Sequence, residues 1–224
     1  MNLKKGFFLA ISLFSTALGY TQEQGKVITT KVVSPTKSDK AREYYNKASD
    51  YFDQNNFKKA VELNKLAIAA DTNYIDAYDN LGLAYRKLNL LDSAEYYYKY
   101  SFEKNPTNTT PLQNLAVIAE LRNNFQQAKL LYLMITSMEP ENPEGFFGMA
   151  RMHLTLGENE EALKSGQMAE KLYEKINSPY IGDCYYILCI THLQLKNMDL
   201  AKKYLTLTKK AGLSIDPNIE KALK

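Results

Sequence analysis

An all-α fold built from repeated helix hairpins is predicted by three features of the chain. From Ala41 onward, apolar residues recur at helical spacing. Asn55, Asn89, Asn123 and Gly157 stand 34 residues apart in succession. Asn and Gly tolerate the left-handed backbone that ends one helix and turns the chain into the next. Each is followed five residues later by alanine, at Ala60, Ala94, Ala128 and Ala162, and so small a side chain lets two helices cross closely. The period is therefore that of a helix hairpin, and no strand-rich segment competes with it.

Composition sets the outer bounds. The chain has 224 residues, 45% of them apolar and 24% charged, with 10 Gly and 7 Pro, which excludes wholesale disorder, collagen and low complexity. A formal net charge of +3 gives no basis for binding nucleic acid or an anionic surface. Two cysteines and two histidines leave little material for a metal cage.

Residues 1–19 are expected to be a secretory signal peptide. Lys4 and Lys5 precede a short apolar run from Gly6 to Gly19, and Ala17 with Gly19 offers the small residues that a signal peptidase reads. The run is short for a membrane anchor, which usually needs about 18 or more apolar residues. No cysteine lies near the cleavage region to carry a lipid. Cleavage near Gly19 and export to a bacterial periplasm follow as expectations, with no later segment apolar enough to span a bilayer. Residues 20–40 are polar and lack helical periodicity, and are expected to form a flexible linker. Cys184 and Cys189 sit about 140° apart around one helix, where a disulfide would break that helix, so two small apolar thiols are the better reading.

The repeats carry a family signature. Residues 75–108 have Tyr78, Leu81, Gly82, Tyr85, Ala94, Tyr98 and Pro106 at the places where the tetratricopeptide repeat, also of period 34, has its aromatic, Leu-Gly, Tyr, Ala, aromatic and Pro. Residues 109–142 have Leu112, Leu115, Ala116, Ala119, Ala128, Tyr132 and Pro140. Residues 41–74 have Tyr44, Ala48, Tyr51, Ala60 and Ala67. Residues 143–176 keep Phe146, Met149, Ala150, Ala162 and Ala169, but have His153 in place of Tyr and Gly166 in place of an aromatic. Residues 177–181 interrupt the period before a fifth unit at 182–215, with Tyr185, Leu188, Cys189, His192, Ala201 and Leu205. The chain thus resembles an exported bacterial tetratricopeptide protein over residues 41–215. The resemblance implies an α-solenoid: a right-handed superhelix of about five hairpins with a concave inner groove. Asp216 and Pro217 read as a helix start, and residues 216–224 should form a helix whose Ile219, Ala222 and Leu223 cover the last hairpin.

Candidate chemistry is sparse. His153 and His192 both fall on the Tyr place of a first helix, with no acid or cysteine near them in the repeat frame, so both are expected to be packing residues. Glu158, Glu160 and Glu161 open a second helix, where negative charge suits the helix dipole. The glycines are isolated and form no phosphate-cradling loop. No catalytic residue, metal or cofactor is expected. Of 17 tyrosines, Tyr44, Tyr51, Tyr78, Tyr85, Tyr98 and Tyr132 hold family core places, whereas Tyr96, Tyr97 and Tyr100 are assigned to the outer face or to the joints between repeats.

Asn46, Asn80 and Asn114 are again 34 apart, on the side of the first helix that the family turns towards its groove. A ladder of carboxamides offers donors and acceptors to the backbone of an extended peptide, although Asn is also an ordinary soluble choice there. The basic clamp of chaperone-binding members is missing, with Tyr45, Ser49, Thr110 and Asn114 where its anchors would stand. Groove places of the first three repeats carry Arg42, Asp76, Asp79, Arg86, Lys87 and Glu120. Those of the last two carry Arg151 and then Phe147, Tyr186, Ile187, Ile190 and Leu193, an apolar set that fits a second contact surface, self-association or packing against the shifted fifth hairpin. The functional expectation is a non-catalytic scaffold that binds a protein or extended peptide in the groove. Its alternatives are an assembly or accessory subunit of an envelope or secretion complex, or a cryptic hydrolase. Nucleic acid is not an expected partner, and the oligomeric state is open.

Overall fold

The computed structural model describes residues 36–223. The expected signal peptide at 1–19 and most of the expected linker lie outside the described residues. The described residues form eleven helices: α1 (Asp39–Asp53), α2 (Phe57–Ala70), α3 (Ile75–Lys87), α4 (Leu91–Lys104), α5 (Thr110–Leu121), α6 (Phe125–Met138), α7 (Pro143–Thr155), α8 (Asn159–Lys175), α9 (Ile181–Gln194), α10 (Met198–Lys210) and α11 (Pro217–Ala222). They belong to two compact units, residues 36–138 and 139–223. Within each unit a helix packs on its neighbours in the chain, and α1, α3 and α5, like α7 and α9, also touch as alternate helices.

The hairpin turns follow the spacing of the sequence. Asn55, Asn89, Asn123 and Gly157 have φ of 58°, 58°, 57° and 77°. The residue after each sends its N–H back five positions to an otherwise orphaned helix carbonyl: Asn56 to Tyr51 at 2.8 Å, Leu90 to Tyr85 at 2.9 Å, Asn124 to Ala119 at 2.8 Å and Glu158 to His153 at 2.8 Å. The fifth hairpin makes the same turn with a lysine, Lys196 at φ 61°. Some helix starts are closed by side chains: the Ser38 hydroxyl accepts from the Ala41 N–H at 3.1 Å, and the Asn142 carboxamide oxygen accepts from the Glu144 N–H at 3.0 Å.

The crossing alanines Ala60, Ala94, Ala128, Ala162 and Ala201 are all completely buried. In the first unit, Tyr98 packs into the space left by Gly82, where an added Cβ would meet the ring at 2.9 Å, and joins Leu83, Ala94 and Ile118 in one cluster. At Gly166 in the second unit the missing aromatic has a physical replacement. Leu188 of α9 fills the place, its Cδ2 lying 2.8 Å from where a Cβ would stand.

Three departures from the expected layout have physical causes. The linker expected to reach residue 40 ends by Thr36, which is buried and donates its hydroxyl to Asp71 at 2.5 Å, with α1 starting at Asp39. The extra length before the fifth hairpin is taken up in part ahead of 177–181: α8 runs for 17 residues, to Lys175, and Asn177 then turns the chain at φ 48°. His153 does have an acid beside it, since Glu158 from the start of the next helix brings Oε2 to 2.5 Å from Nδ1. α11 sits where a cap was expected, with Ile219 and Leu223 buried in the same cluster as Ala201 and Tyr204.

Candidate protein-binding face

In the first unit the three asparagines are not equivalent. Asn46 is exposed on α1, Asn80 is half-buried on α3, and Asn114 is buried on α5. Asn80 lies close enough to the Tyr45 phenol to pull against its upward shift. Asn114 turns its Nδ2 back to the Thr110 carbonyl at 3.1 Å, which occupies a donor of its carboxamide within its own helix. The spacing puts the three asparagines on one side of successive first helices but does not set how deeply each lies.

Asp79 and Arg86, seven residues apart on the same side of α3, flank a polar seam against α4. Asp79 Oδ2 accepts from Asn108 Nδ2 at 3.4 Å, while Asp79 Oδ1, Arg86 Nε, the Tyr98 hydroxyl and Ser101 Oγ are buried without a geometrically well-formed partner. Burial chiefly, and Asp76 as a neighbouring carboxylate, push the Asp79 carboxyl up to about 7 against a smaller downward pull from Ser101. The Tyr45 phenol is likewise pushed up to about 12 by burial and by Asp76. Polar groups held this far out of water are costly unless paired.

In the second unit Phe147, Tyr186, Ile187 and Ile190 are buried within one apolar cluster, with Ile187 and Ile190 only 3% exposed. Of the readings left open for them, packing against the fifth hairpin is the one that this burial fits. α9 is apolar nearly all round, and such a helix is enclosed on every side; the unbroken run Tyr186–Ile190 is the signal that could have revealed it. Arg151 stays half-buried, with its guanidinium 5.6 Å from the Phe147 ring. It faces Glu144 and Asp183, whose carboxyls burial pushes above their usual range while Arg151 pulls them back. Tyr173 donates to Glu144 Oε1 at 2.7 Å.

Both histidines are buried; His192 stacks on Tyr204 with ring centroids 5.4 Å apart, and burial pulls it below its usual range. Cys184 and Cys189 are free and buried. Burial pushes both thiols up, Cys189 to about 12, which makes them poor nucleophiles. Of the tyrosines expected on the outer face or at the joints between repeats, Tyr97 stacks on Tyr85 at 5.6 Å, Tyr100 stacks on Tyr78 at 4.5 Å, and Tyr96 projects into solvent. Among the described residues no group of three metal-ligating side chains converges, and no helix is long and apolar enough to cross a membrane.

Consecutive hairpins of 34 residues, turned at left-handed Asn or Gly and crossed at buried Ala, form a recognisable plan. Residues 75–108 match the tetratricopeptide repeat family model. The fold is the tetratricopeptide fold. Its solved likenesses include PilF of Pseudomonas aeruginosa, at a TM-score of 0.70 and 17% identity over 80% of each chain. The first tetratricopeptide domain of Spaghetti (RPAP3), bound to an HSP90 peptide, gives a TM-score of 0.50 and 22% identity over 54% of this chain and 95% of that one. Anaphase-promoting complex subunit 3 of Schizosaccharomyces pombe is 21% identical over 167 residues, 75% of this chain and 23% of that protein's length. The chain thus spans about a quarter of that curated relative. A tetratricopeptide array of this kind is a scaffold typical of protein–protein interaction.

Proposed function

We propose that this chain is exported to the bacterial periplasm and acts there as a non-catalytic scaffold, gripping an extended peptide or protein segment on the first helices of its hairpins. The observation that carries the reading is the exposed and half-buried polar edge of α1 and α3, Asn46, Asn80 and Arg86, on a tetratricopeptide fold. A solved protein of similar fold holds a peptide, which supports this use of the fold here. In the first unit Asn114 would shape that edge from beneath; in the second unit, taken by itself, Arg151 would offer the polar contact, with Phe147, Tyr186, Ile187 and Ile190 beneath it. The layout of residues 1–19 supports export.

The test combines capture and mass. A photo-crosslinking residue at Asn46 or Asn80 should trap the same partner in intact cells, and one at Lys202 on the opposite helix class should not. Replacing Asn80 and Arg86 by Ala should weaken capture, each lost hydrogen bond being worth about 0.5 to 1.5 kcal/mol, with the helical spectrum unchanged. Equal trapping from all three sites, or undiminished capture by the double variant, would remove the first-helix face from consideration. The intact mass of the protein from the envelope fraction should correspond to cleavage near Gly19, and a full-length mass in the cytoplasm would end the export reading.

A further inference from the structure

The five second helices of the hairpins differ in one respect that the binding face does not explain. On α2, α4, α8 and α10 the solvent-facing surface mixes acids and bases, as with Lys58, Lys59 and Glu62 on α2 or Asp199, Lys202 and Lys203 on α10. α6 has no charge on that surface at all. Its fourteen residues include a single charged side chain, Lys129, which is half-buried and partnered. What α6 turns to solvent is Leu130 at 60% exposure, Leu133 at 48%, Met134 at 43% and Met138 at 38%. These stand at i, i+3, i+4 and i+8, one continuous ridge about 12 Å long at 1.5 Å per residue, edged by the exposed amides Gln126 and Gln127 and by Ser137. α4 shows the contrast: Tyr96 is just as exposed, but it stands among Asp92, Lys99 and Glu103.

A ridge that leaves this much apolar side chain in water is the kind of patch that soluble chains keep for a contact. The absence of charge indicates which contact. Across a two-fold axis a residue near the axis meets its own copy, so any charge there opposes itself, and like-charge juxtaposition is strongly unfavourable. A face that pairs with itself must be neutral where it crosses the axis, whereas a face for a different protein gains specificity from charges that complement it. We propose that the outward face of α6 is a self-association surface, on which a second copy of this chain docks α6 against α6 about a two-fold axis passing near Met134. The tight approach is made by Leu130, Leu133, Met134 and Met138, and the exposed glutamines hydrogen-bond at the rim.

The experiment is sedimentation of the purified protein with three samples: wild type, Met134→Lys, and Met134→Glu. Residue 134 is exposed, so each variant should keep the wild-type helical spectrum and melting temperature. Wild type should sediment as a dimer at 100 micromolar. Each variant alone should self-associate at least about tenfold more weakly, because its charge meets its own copy. An equimolar mixture of the two variants should recover the dimer, since lysine then faces glutamate, a result that a partner of another kind or a loss of fold would not produce. A monomeric wild type at 100 micromolar, dimers that survive both substitutions, or a mixture that stays monomeric would each overturn the proposal.

Discussion

Lys196 turns the fifth hairpin in a backbone conformation that its side chain does not favour, φ 61°, at the place where the other turns have Asn or Gly. The left-handed region costs an ordinary residue roughly 1 to 2 kcal/mol, so Lys196→Gly should raise the urea midpoint by an amount equivalent to about 1 kcal/mol, with an unchanged slope. This turn was not legible in the sequence, because lysine carries no turn signature, whereas the first four were read directly from their residue types. Asp79 gives a second residue-level expectation. Its carboxyl is pushed up to about 7 by burial, so the folded state prefers it protonated. That preference is fully satisfied at pH values below the unfolded carboxyl's range and is lost as pH rises through about 7. Asp79→Asn should therefore raise the melting temperature relative to wild type at pH 8, and the advantage should shrink steadily towards pH 4. A difference that grows on acidification would mean that Asp79 is held ionised by a cation.

At the scale of elements, the repeat pattern predicts contacts well where small residues enforce them. Ala94 and Ala128 are fully buried at helix crossings, and replacing either by Leu should lower the melting temperature, overpacking costing about 1 to 3 kcal/mol. The same logic reverses the obvious repair of the fourth repeat. Gly166→Phe would restore the aromatic of the family pattern, yet Leu188 already lies 2.8 Å from the position of a Cβ there; the substitution should destabilise, and Leu188→Ala in the same chain should recover part of the loss. Thermal melts of the single and double variants check both statements. What periodicity could not reveal is whether a helix side meets solvent or another element. It placed Ile187 and Ile190 on one side of α9 correctly but left open whether anything enclosed them, and it assigned Thr36 to a linker because a single threonine docking on Asp71 leaves no pattern. His153 and Glu158 escaped for a related reason: His153 is in α7 and Glu158 caps the start of α8, and only the turn at Gly157 brings them together.

Across the whole molecule, both units are assembled from helices that touch mainly their neighbours in the chain, closed by turns of a few residues and finished at the end of the second unit by α11. The period of 34 was enough to derive this plan. The division into two units was not derivable from it, since the period runs on through residue 138 without a mark. Sequential packing also bears on how the protein comes into being. No hairpin has to wait for a distant segment, so little loop-closure entropy stands in the way of the first contacts, and proteins dominated by such local contacts fold within microseconds to milliseconds. Each hairpin can take shape as soon as its second helix has emerged during synthesis. A chain carrying the export layout of residues 1–19 would then be in a race: it must be kept from folding until it has crossed the membrane, and the speed with which its hairpins close sets the time available for that hand-over.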